Sequence, residues 1–252
     1  MSYRYHNNKA LYHYAGQAIR RHNMILEGDR IAVALSGGKD SFTLLTVLDE
    51  RRRWVPIDYT LVVFHVDPGF PSKNKDIIST YCRERGYPFH CTHTDYGLRA
   101  HSPDNRENPC FLCAYLRRKR LFELAAEWRC NKLALGHHKD DIIETLFLNM
   151  CYSGKISTMS PSQTFFDGKL TVIRPLAFTD KKLIARFARK NNLPDLTNPC
   201  PSAQNSKRNE IRQMLNRLYQ SNKKIKGNIF HAMQLLATDF QGQDAHNLSA
   251  SR

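Results

Sequence analysis

The stretch that most constrains this chain is IAVALSGGKDSFTLL, Ile31 to Leu45. Ile31-Ala32-Val33-Ala34-Leu35 is an unbroken apolar run, the pattern of a strand covered on both faces, as in parallel sheets flanked by helices. Ser36-Gly37-Gly38-Lys39-Asp40-Ser41 interrupts it. Phe42, Leu44, Leu45, Val47 and Leu48 then recur at helical spacing. A strand, a glycine turn and a helix in this order aim free backbone N–H groups and a positive helix end at an anion. Gly37 and Gly38 admit a close backbone approach and positive φ. Ser36 and Ser41 add hydroxyls, and Lys39 adds a charge. The loop is neither the Walker pattern, which ends in G-K-[ST], nor the dinucleotide G-x-G-x-x-G.

Further buried runs follow in Tyr59–Asp67, Phe89–His93, Lys132–Gly136 and Leu170–Leu176. Helical patterns separate them up to about residue 192. The expected fold is α/β: a five-stranded, mainly parallel sheet with helices on both faces, plus N-terminal and C-terminal helices. The expected division is a basic helical extension (1–30), a nucleotide-binding domain (31–192), a C-terminal helical segment (193–240) and a frayed tail (241–252). Residues 95–109 and 152–169 read as loops. Ligands of open α/β sheets bind at the carboxyl ends of the strands. Val66, Asp67, Gly136, His137 and Arg174 fall there. Asp141 and Glu144, three apart at a helix start, share a face. They suit a Mg²⁺ ion on phosphates, a basic partner, or simply the acidic first turn of a helix.

Formal charge is +15, from 38 basic and 23 acidic residues, which favours a polyanionic partner. No apolar run reaches membrane-spanning length, and the start MSYRYHNNKA has no apolar core, so a cytoplasmic location is expected. There are seven cysteines. In a cytosolic chain they favour metal or redox chemistry over disulfides. Cys82, Cys91, Cys130 and Cys151 fit core positions. Cys110 and Cys113 open a helix at i and i+3, and Cys200 stands between two prolines. A lone C-x-x-C is compatible with half a zinc site, a redox pair or cluster ligation. Three thiolates on a [4Fe–4S] cluster leave one iron without a protein ligand.

SGGKDS at 36–41 resembles the pyrophosphate-binding PP-loop of the ATP pyrophosphatase superfamily. Taken with C-F-L-C at 110–113, GHHKDDIIETLFLNM at 136–150, IRPL at 173–176 and Cys200 ahead of an Arg-rich helix, the chain resembles the tRNA 2-thiocytidine synthetases to about residue 236. Members often carry C-N-L-C near the third cluster ligand; this chain has N-P-C-P, with Cys200 in the place of the second of those cysteines. The resemblance implies ATP, Mg²⁺ and a [4Fe–4S] cluster on Cys110, Cys113 and Cys200. It implies a nucleotide site of Ser36, Gly37, Gly38, Lys39, Asp40, Ser41, Val66, Asp67, Gly136, His137 and Arg174, with Lys39, Asp40 and Asp141 nearest the chemistry. The implied reaction converts cytidine 32 of a tRNA anticodon loop to 2-thiocytidine. Its C2 oxygen is adenylated, and sulfide then displaces AMP. The implied partners are tRNA, a cysteine desulfurase or other sulfur donor, and a second copy of the chain. Two rivals are a sulfurtransferase for another tRNA base or a small molecule, and a non-catalytic Fe–S or zinc protein that binds RNA.

Overall fold

In a computed structural model the described residues are 8–203 and 206–235. The chain divides into two compact units, one of residues 1–140 and 159–206, the other of 141–158 and 207–252. The tail at 241–252 lies outside the described residues.

The first unit holds a six-stranded sheet. In chain order its elements are α1 (Lys9–Arg21), β1 (Arg30–Ala34), α2 (Lys39–Arg51), β2 (Thr60–Asp67), α3 (Asn74–Glu84), β3 (Phe89–His93), α4 (Tyr96–Ala100), α5 (Pro109–Glu127) and β4 (Lys132–Ala134). Then come the first two residues of α6 (Lys139–Ser153), followed by β5 (Ser162–Phe165), β6 (Leu170–Ile173) and α7 (Lys181–Lys190). The strand order is β3-β2-β1-β4-β6-β5, with only β5 antiparallel. The expected five strands are all present, and the sheet gains a sixth. β5 comes from the segment read as a loop, because Ser162-Gln163-Thr164-Phe165 is short, edge-lying and half exposed. The expected loop at 95–109 likewise contains the short helix α4.

The chain moves from β1 outward to β2 and β3, then returns to β4 on the other side of β1. Right-handed crossovers therefore place α2 and α5 on opposite faces. On the α5 face, Leu121, Leu124 and Ala125 pack with Ala32, Val62, Phe64, Leu133 and Val172. α2 is buried along nearly its whole length, from Ser41 to Leu48. It packs against α7, and the Tyr12 hydroxyl of α1 donates to Glu50 of α2. Because α2 is covered on so many sides, the loop at its start is held firmly.

The second unit is helical: the rest of α6, α8 (Lys207–Ser221) and α9 (225–235). Ile143, Ile211 and Leu215 form its core, with Phe147, Tyr219 and Phe230 against them. The buried Glu144 carboxylate accepts from Arg212 Nε and Nη2 at 2.8 and 2.9 Å, so its partner is basic rather than a metal. Cys82 and Cys130 are core thiols, whereas Cys91 is half buried and Cys151, expected in the core, is exposed on α6. Among the described residues, no helix is long and apolar enough to cross a membrane.

Candidate active site

β1 and β4 are neighbours whose crossovers leave in opposite directions, so their carboxyl ends frame the crevice where an open α/β sheet binds ligands. The loop after β1 is Ser36–Gly38. Gly37 has φ +94°, a conformation that favours glycine. Inside the loop, Ser36 N–H and Ser36 Oγ–H donate to Ser41 Oγ, each at 3.2 Å. The Ser41 hydroxyl in turn donates to Gly38 O at 2.8 Å. Ser41 is buried and braces the turn from within, leaving the outer N–H groups to meet a ligand.

The segment after β4 presses on this loop. A Cβ on Gly136 would lie 3.1 Å from both Ser41 N and Ser41 Cα. Next to it, the buried His138 puts Nε2 at 3.7 Å from Asp40 Oδ2. Burial raises the Asp40 pKa, but the His138 ring, Lys39 and Lys181 outweigh it and hold the carboxyl below the ordinary carboxylate range. The other oxygen, Asp40 Oδ1, is buried without a hydrogen-bond partner. That is the state expected of an oxygen shaped to meet a cation or a donor on a ligand.

The remaining strand ends contribute in kind. Val66 is buried at the end of β2. Asp67 accepts from Gly69 N–H at 3.0 Å and pairs with His93 Nδ1 at 2.9 Å. Burial pushes the Asp67 pKa up, but these two contacts bring it below the usual range. Arg174, just past β6, is buried; its Nε donates to His137 Nδ1 at 3.2 Å and its Nη1 to Ser160 O. Burial, with Arg118 nearby, lowers its pKa to about 10. Neither of these acceptors is a carboxylate, which leaves the guanidinium suited to an anion. Asp141 belongs to the second unit.

One partner of the loop has no warning in the sequence. Asp195 Oδ1 accepts from Lys39 N–H at 3.1 Å, and its Oδ2 from Lys39 Nζ at 3.0 Å. Leu196 N–H donates to Gly37 O at 2.9 Å. A carboxylate thus takes the same donors that a phosphate would use.

Five residues on, Cys200 meets the other two thiols. Asn108 caps α5, its side chain accepting from Cys110 and Phe111 N–H, with Pro109 at the first helical position. This places Cys110 and Cys113 on the first turn. The Ser202 hydroxyl lies 3.6 Å from Cys110 Sγ and 3.3 Å from Cys200 Sγ. It also meets His101 Nε2 at 3.0 Å, and that nitrogen is 3.8 Å from Cys200 Sγ. Burial pushes the Cys113 thiol up, Arg117 opposes this, and the charges of Cys200 and Cys110 add to the rise. The structure therefore gathers all three expected thiols. Among the described residues, no three His, Cys, Asp or Glu side chains stand close enough for one metal ion. Ligands of a polynuclear cluster bind different irons and stand further apart. Thiolates are soft donors of the kind that iron–sulfur clusters and zinc both take. His101, Ser202 and Asp195 carry no periodic or motif signal; only their nearness to Cys200 in the chain, for the last two, hints at them.

The PP-loop domain family matches residues 11–218. The tRNA-cytidine(32) 2-sulfurtransferase of Geotalea uraniireducens is 41% identical over 221 residues, 86% of this chain and 88% of that protein. That of Syntrophotalea carbinolica is 46% identical over 209 residues, 81% of this chain and 78% of that protein. In fold, the chain is similar to the U34-tRNA thiolase NcsA from Methanococcus maripaludis, solved with its [4Fe–4S] cluster. The TM-score is 0.73 at 23% identity, over 91% of this chain and 79% of that one. Matched over most of its length by both the domain family and these relatives, the chain belongs to the PP-loop family, among the tRNA-cytidine(32) 2-sulfurtransferases.

Proposed function

We propose that this chain is an ATP-dependent tRNA sulfurtransferase that converts cytidine 32 to 2-thiocytidine through an O-adenylated base. The observation that carries the reading is the segment 195–200. One end sits on Lys39 and the other stands with Cys110 and Cys113. Five Cα steps span at most about 18 Å, so an adenylating loop and a thiol trio lie within reach of one substrate.

Ser36, Gly37, Gly38 and Lys39 would cradle the phosphates, with Ser41 bracing the turn and Asp195 displaced. Val66, Asp67, Gly136 and His137 would flank the nucleotide, and Arg174 would offer its guanidinium to an anion. Asp40, with its orphaned oxygen, would hold Mg²⁺; for Asp141 the reading keeps only the catalytic role that the family resemblance implies. The cytidine C2 oxygen attacks the α-phosphorus and pyrophosphate leaves, its charge met by Lys39 and the loop N–H groups. The oxygen, a poor leaving group until then, departs as AMP with the C–O electron pair when sulfide bonds to C2. Cys110, Cys113 and Cys200 would hold a [4Fe–4S] cluster, which supplies an iron free of protein ligands as a holding point for sulfide. The partners of this reading are tRNA, a cysteine desulfurase or another sulfur donor, and a second copy of the chain, in the cytoplasm.

Mass spectrometry of tRNA nucleosides from a strain lacking the protein tests the substrate. Loss of 2-thiocytidine is expected; an unchanged profile refutes the reading. Cys110→Ala should abolish thiolation by anaerobically purified protein, while the variant still binds a non-hydrolysable ATP analogue. Stoichiometric zinc in place of about four irons per chain would favour the RNA-binding rival.

A further inference from the structure

Phe111 lies between Cys110 and Cys113 in the chain, and the residue is 65% exposed. A large apolar side chain left in water beside a reactive group calls for an occupant. It does not stand alone. Phe111, Tyr115, Arg118 and Phe122 recur at i, i+4, i+7 and i+11 of α5, one narrow stripe along the helix. Tyr115 is 55% exposed. At the far end, Phe166 meets Phe122 with ring centroids 5.7 Å apart and is 58% exposed. Phe166 has φ +55°, a strained conformation for a bulky residue, and it stays largely exposed while its ring touches Phe122 and Phe165. The stripe runs about 16 Å, at 1.5 Å per residue. Its charge is positive: Arg118 is exposed within it, and its field reaches Arg174.

We propose that this face of α5 is a stacking platform for unpaired bases of a tRNA loop, and that it guides the target base to the thiol-lined end. The assignment rests on the sulfurtransferase reading above. Flat rings with interleaved arginine suit single-stranded bases, since every base has a π-face and a phosphate beside it. A second copy of the chain would also cover an apolar stripe, but it would gain nothing from Arg118 on a molecule of charge +15.

The test uses anaerobically purified holoprotein and an unmodified anticodon stem-loop RNA with 2-aminopurine beside the target cytidine. Binding to the wild type should quench the fluorophore by stacking. Phe111→Leu and Tyr115→Leu keep an apolar side chain but remove the ring. Each should weaken RNA binding about tenfold and restore the fluorescence. Iron content, binding of the ATP analogue and molecular mass in solution should stay unchanged. Wild-type affinity and quenching in both variants would overturn the platform while leaving the sulfurtransferase reading standing. So would loss of a dimer in the variants with RNA binding intact, which would make the stripe a contact between copies. Failure of the wild type itself to bind or thiolate the RNA would overturn both.

Discussion

Asp195 holds Lys39 as a phosphate would, one oxygen on the backbone N–H and the other on Nζ. The pair is partly exposed, with 54% of the Asp195 side chain in water, so it is a weak competitor. Asp195→Ala should tighten ATP-analogue binding about two- to fivefold by calorimetry. Lys39→Ala should weaken it about tenfold or more. Gly136→Ala would drive a methyl group against the Ser41 backbone, where nothing can yield without moving the loop. It should cost about 1–3 kcal/mol, read as a lower melting temperature, with analogue binding lost at the same time. Asp40 carries a pH dependence. Its folded pKa is below its unfolded one, so its stabilising contribution is present above the ordinary carboxylate range and disappears as pH falls through the lowered value. Asp40→Asn should flatten that acid limb in denaturation curves measured across pH.

At the scale of elements, the strands show why sequence reading succeeds and fails. β1, β2 and β4 are buried on both faces, and their apolar runs declare them. β5 is an edge strand paired only with β6, and its four residues offer neither a run nor a full alternation. The site divides the same way. The loop at 36–41 and the cysteine pair are contiguous motifs, and residue order alone marks each as chemistry. Asp195 on Lys39 and Ser202 between the sulfurs join residues 156 and 92 positions apart. No local pattern encodes such meetings. Glu144 is a further case: its spacing from Asp141 suggests a shared carboxylate face, yet it is buried and committed to Arg212. Glu144→Ala should destabilise the second unit by about 2 kcal/mol, discounted because Arg212 is 36% exposed. Hydrogen exchange should rise in 141–153 and in α8.

For the whole molecule, charge dominates. An excess of fifteen positive charges makes RNA binding strongly salt-dependent. With about six phosphates neutralised, affinity for tRNA should fall about a thousandfold between 50 and 200 mM salt, as filter binding would read. The short tether from Asp195 to Cys200 has a thermodynamic corollary. Where eviction of the carboxylate moves the backbone of residues 195–200, it moves Cys200 with it, and a group held on that sulfur would in turn change how readily the carboxylate lets go. Linkage is reciprocal: if a nucleotide on the loop and a group held by Cys200 are coupled in this way, each changes the other's dissociation constant by the same factor.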